Sequence, residues 1–129
     1  MDRNVVLSTV LVVHLTVALV HGSTHALLPV VLAPWQNALV LGTVFLGPAV
    51  GVVLVRRDHP LGLPLFTATM AGALLLGGVL HFVIENPDHV HVIPHSQWRV
   101  PFQVSAVGVA VTSAVGTAVG VRYWRTRWQ

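Results

Sequence analysis

Four long apolar runs, separated by short polar stretches, organise this chain. They extend over about residues 4–31, 37–55, 61–85 and 101–121. Each is long enough, as a helix, to cross a hydrocarbon core of about 30 Å. The pattern predicts an all-α integral membrane protein whose four transmembrane helices form an up-and-down bundle, because short connections make successive helices antiparallel neighbours. Residues 1–129 form a single domain on this reading, with a His-rich outer loop over 86–100. Pro48 and Pro64 lack an N–H and are expected to kink or start their helices.

Composition agrees with the pattern. Hydrophobic residues make up 54% of the chain and charged ones 9%, against roughly 25% charged in an ordinary soluble domain. Too little polar material is present to cover a water-facing globule. The sequence pI of about 11.2 suggests nucleic acid, but the distribution of charge does not. Seven Arg and no Lys form no stretch able to track phosphates.

Arg3, Arg56, Arg57, Arg122, Arg125 and Arg127 instead fall on one side of the four runs, and Arg99 alone on the other. This asymmetry predicts that both termini are cytoplasmic, in a multi-pass protein of the cell membrane. Trp35 and Trp98 would belt the outer interface, and Tyr123, Trp124 and Trp128 the inner one. A signal peptide with a small-residue site at Gly22–Ser23 is a weaker reading of the first run, which resumes its apolar character beyond that point.

The absence of Cys removes disulfides and thiolate chemistry, and the absence of Lys removes a Schiff-base cofactor. Neither His-Glu-x-x-His nor a phosphate-binding glycine loop is present. Gly47 and Gly51 form one small-xxx-small pair, while Gly108, Thr112, Gly116 and Gly120 form a smooth stripe. Such patterns serve dimer contacts or packing inside a bundle. Packing inside the bundle is the favoured reading.

Against this apolar background stand eight His. His14, His21 and His25 are spaced by seven and four residues, which at about 100° per residue places them on one stripe of the first helix. His81 and Glu85 are an i, i+4 pair near the outer end of the third. Ionisable groups inside a bilayer are costly and by default mark a function.

With the N-terminus inside, His21, His25, His81 and Glu85 share one depth and are expected to converge as metal ligands. His14 lies about 10 Å deeper, too far to ligate the same ion, and is expected to orient a ligand or extend a proton path. Three nitrogens and a carboxylate suit Zn²⁺, Cu²⁺, Fe²⁺ or Mn²⁺. Cu⁺ would recruit sulfur, and Met70 lies at the wrong depth. A haem b held by His21 or His25 opposite His81 is the alternative cofactor, with Gly77 and Gly78 making room for it.

Asp88, His89, His91 and His95 follow in the outer loop as a second cluster. Val90 and Val92 alternate with His89 and His91, so an extended stretch would point both imidazoles the same way. Such a loop completes the site, captures ions, acts as a lid, or is simply exposed. His59, in a cytoplasmic turn, is assigned to turn formation. The expected function is a small membrane metalloprotein with its site near the outer face, redox or oxygen-related. The alternatives are a haem b anchor or electron carrier, a proton or metal-ion transporter, and an accessory subunit of a larger membrane complex. A homo-oligomer is a further possible assembly.

Overall fold

The computed structural model describes residues 2–28 and 30–126. Arg127 and Trp128, assigned above to the inner side, lie outside them. Four helices account for most of the chain: α1 (Arg3–Leu27), α2 (Pro34–Arg56), α3 (Gly62–Val83) and α4 (Arg99–Thr126). Each is long and apolar enough to cross a membrane. The helix over Gly62–Val83, with 22 residues, extends about 33 Å at 1.5 Å per residue.

Local chemistry sets the boundaries. The Asp2 carboxylate accepts the Asn4 N–H at 2.7 Å and starts α1. At the head of α2, Pro34 occupies the first turn and the Gln36 side chain accepts the Ala33 N–H at 2.7 Å. Between α2 and α3 the chain reverses through Asp58, at φ 53°, a left-handed conformation that Asp tolerates better than most residues. His59 Nδ1 accepts the Leu61 N–H at 3.3 Å in the same turn, which gives that imidazole its role. The first run ends at Leu27, earlier than residue 31. Leu28 is already extended, as suits a residue preceding a proline.

Sequential helices pack as neighbours, α4 closing the ring against α1, so that α1 and α3 are diagonal. At one end Arg3 meets Asp58 at 3.4 Å, and Arg56 Nη2 donates to Ser8 Oγ at 2.9 Å, joining the start of α1 to the end of α2. At the opposite end the last turns of α1 and α3 meet the first turn of α4. The bundle is therefore up-and-down.

Its outward faces are apolar: Val12, Leu19, Leu75 and Val104 are each more than 60% exposed. A continuous surface of this kind suits lipid contact. Inside, the small residues let helices close on one another. A Cβ on Gly51 would lie 2.7 Å from the Phe66 backbone nitrogen, and side chains at Gly116 and Gly120 would collide with Met70 and Thr67. The glycine stripes are thus covered within the bundle.

Two helices carry a π-helical segment, over Leu41–Leu46 in α2 and Val79–Val83 in α3. The first precedes Pro48, whose missing N–H leaves the Val44 carbonyl without its α-helical donor. His14 Nε2–H donates to that carbonyl at 3.1 Å. Before the π segment, the N-terminal part of α2, Pro34–Val40, buries no residue.

Candidate metal centre

His21 and His25, one turn apart on α1, and His81, at the end of α3, come together across the bundle diagonal. Nε2 of His21 lies 3.2 Å from Nε2 of His81 and 3.2 Å from Nε2 of His25. One ligand nitrogen from each ring falls within 4.8 Å of the other two. His21 and His81 are buried and His25 nearly so. The fully buried Phe102 of α4 packs against all three rings, with centroids 4.9–5.6 Å away.

The outer bonds of these rings decide what the inner nitrogens offer. Ser105 Oγ lies 2.7 Å from the Pro101 carbonyl and 3.0 Å from His21 Nδ1; with its hydrogen on the carbonyl, it accepts from His21 Nδ1–H. His81 Nδ1 lies 2.9 Å from the Asp88 carbonyl, and a carbonyl only accepts, so this nitrogen also carries hydrogen. In the neutral rings both Nε2 atoms are consequently lone pairs, pointed at each other across 3.2 Å. Two lone pairs at that distance repel unless a cation lies between them. His25 Nδ1 is buried with no hydrogen-bond partner among the described residues.

A carboxylate stands beside the three rings, but it is not Glu85. The i, i+4 relation of His81 and Glu85 fails because α3 stops at Val83, with Ile84 extended and Glu85 exposed. Asn86 explains the stop. Its side-chain amide donates to the Leu80 and Ile84 carbonyls at 2.8 and 2.6 Å, terminating the helix before Pro87. Asn86 Oδ1 then accepts the Asp88 N–H at 2.8 Å, a side-chain turn that folds the chain back over His81.

This return buries Asp88, with Oδ1 3.3 Å from His25 Nε2 and Oδ2 3.4 Å from His81 Nδ1. Burial pushes its carboxyl up to about 7, since a carboxylate out of water needs a counter-charge. Oδ1 has no hydrogen-bond donor.

The remaining predicted residues fall elsewhere. His14 is fully buried, with Nδ1 3.0 Å from Thr112 Oγ1 and Nε2 on the Val44 carbonyl, so both nitrogens are satisfied within the bundle. The outer loop forms successive turns, not the extended stretch its alternation suggested. His89 is buried and its ring lies 5.4 Å from that of the exposed His91. His95 is exposed, and Arg99 Nη1 donates to its ring at 3.0 Å. Val90 and Ile93 pack with Leu28, Val30, Phe102 and Ala106, which makes this loop a cap seated on the bundle.

Known protein families, characterised proteins and solved structures were compared with this chain, and none matches. Function must then be argued from the site itself.

Two residues important to the geometry, Ser105 and Phe102, were not singled out from the sequence. Both sit in the first turns of α4, on the face that the ring of helices turns toward His21. Ser105 is an isolated hydroxyl in an apolar run, the one signal available. On its other side the cluster borders a cavity of about 200 Å³ enclosed by α1, α2 and α3, with mainly apolar walls.

Proposed function

We propose that this chain is a multi-pass membrane metalloprotein that holds one divalent transition-metal ion with His21, His25 and His81, assisted by the Asp88 carboxylate. The observation that carries the reading is the convergence of the His21, His25 and His81 rings, with Nε2 of His21 and Nε2 of His81 3.2 Å apart. Two ligands each about 2.0–2.1 Å from a tetrahedral ion stand roughly 3.3 Å apart. Outer hydrogen bonds that set the tautomer and aim of a ligating imidazole are a regular part of metal sites.

Three nitrogens and one oxygen suit Zn²⁺, Fe²⁺, Mn²⁺ or Cu²⁺, and the donor set lacks the sulfur favoured by Cu⁺. A bare ion suits the geometry better than haem b. The ring centroids of His21 and His81 are 4.9 Å apart in an edge arrangement, whereas a porphyrin has to pass between its two axial rings. Asp88, lying in the turn above the cluster, supplies negative charge to a divalent ion and relieves its own burial. The cavity on the open side supports a site that meets a small molecule, as catalytic and redox centres do, in preference to a closed structural one. With both termini cytoplasmic, the centre lies near the outer face of the cell membrane.

Elemental analysis of gently purified protein tests the reading. About one metal ion per chain is expected, falling to background in His21→Ala and His81→Ala variants that retain their helical circular dichroism. A wild-type protein without stoichiometric metal overturns it, and the two imidazoles would then share a proton. A Soret band would turn the assignment to haem.

A further inference from the structure

The cavity beside the three imidazoles has a polar end and an apolar body. His21, His25, His81 and Asp88 form the polar end, while Val40, Phe45, Leu76 and Leu80 are among the walls. Among the described residues that line it, only Gly22 and Asn37 are exposed. They stand on α1 and on the N-terminal part of α2, the segment that buries nothing. The π segment at Leu41–Leu46 follows directly on that part. The cavity thus opens sideways, past Gly22 and Asn37, on a flank that the four apolar helices turn toward lipid.

We propose that this cavity binds a small, uncharged, membrane-soluble molecule of the phenol class, which enters from the lipid and presents its oxygen to the metal centre. The inference rests on the metal reading above and adds the chemistry of the ligand. Size is the first constraint. An apolar cavity of about 150 Å³ accepts benzene, so about 200 Å³ accepts a benzene ring carrying one or two further heavy atoms. Polarity is the second. Apolar walls exclude a ligand with a formal charge, which would lose its hydration without a partner along most of its length. Donor placement is the third: apart from the Asn37 amide at the mouth, the lining groups able to engage an oxygen, directly or through an ion, are those of the cluster.

Two glycines permit a test that leaves the ligand residues alone. Gly22 has nothing within 4 Å of the position a Cβ would take, and at Gly77 the nearest atom is His81 Cδ2 at 3.8 Å. Both line the cavity, so Gly22→Leu and Gly77→Leu place bulk at its mouth and inside it. Gly22 lies on an exposed helical face, where leucine is favourable to folding.

The experiment loads the full chain with Co²⁺ in detergent and follows the visible cobalt bands during titration with 4-methylphenol. Saturable band shifts are expected for the wild type. Toluene should compete without shifting the bands, and 4-hydroxybenzenesulfonate should do neither. The two leucine variants should keep one Co²⁺ per chain while binding 4-methylphenol at least tenfold more weakly. A cobalt spectrum indifferent to 4-methylphenol overturns the proposal while leaving the metal reading intact. Unchanged affinity in both leucine variants does the same, because the phenol would then reach the ion by another route. A wild type that binds no Co²⁺ overturns the metal reading and this proposal together.

Discussion

An imidazole binds a cation only through the nitrogen that lacks a hydrogen, so the partners of Nδ1 control the chemistry at Nε2. Ser105 and the Asp88 carbonyl exert that control on His21 and His81. Ser105→Ala should leave the ligands in place yet lower metal affinity about 10–100-fold, the usual effect of removing such a partner, as measured by competition with a chelator of known affinity. Glu85→Gln, at an exposed position outside the cluster, should leave affinity unchanged in the same assay; a comparable loss there would restore Glu85 as a ligand. The convergence of His21, His25 and His81 was legible from spacing and depth alone. The carboxylate was legible only in part, Asp88 standing among the loop residues able to complete the site while Glu85 was named as the ligand. Helical periodicity pointed to Glu85, and the local bonding of Asn86, which ends the helix and brings Asp88 back, lies outside any periodic rule.

At the scale of helices, the four spans followed from apolar run length, with ends displaced by a few residues where capping groups or prolines intervene. The two π segments were not visible in hydropathy, which registers burial and is blind to the hydrogen-bond register of a helix. Pro48 was the only sequence signal for the first, read there as a kink. Glycine gave the clearer message, and its place in the structure makes a paired prediction. Gly51→Ala brings a methyl group to 2.7 Å from the Phe66 backbone nitrogen. It should destabilise the bundle by about 1–3 kcal/mol through overpacking. Gly22→Ala meets nothing within 4 Å and should stabilise by up to about 1 kcal/mol, the helical cost of glycine. Thermal unfolding in detergent reads both. Equal effects at the two positions would contradict the close α2–α3 packing.

For the whole molecule, the distribution of arginine makes an orientation prediction that is simple to test, because the chain contains no cysteine. In intact cells a membrane-impermeant maleimide should label Ser96→Cys, in the outer loop, and should reach Thr126→Cys only after permeabilisation. The opposite pattern would invert the protein and place the metal centre on the cytoplasmic side.

The turn that carries Asp88 has a consequence for assembly in either orientation. Its backbone carbonyl aims His81, its carboxylate stands beside His25, and two residues later the chain is anchored by Val90 and Ile93. The roof and the carboxylate beside the three imidazoles are therefore one piece of chain. On the proposed metal reading, an ion captured while that piece is still undocked is roofed over when it settles, with the cavity side left open. Thereafter its residence time is governed by how often the roof lifts, a property of chain dynamics more than of ligand affinity.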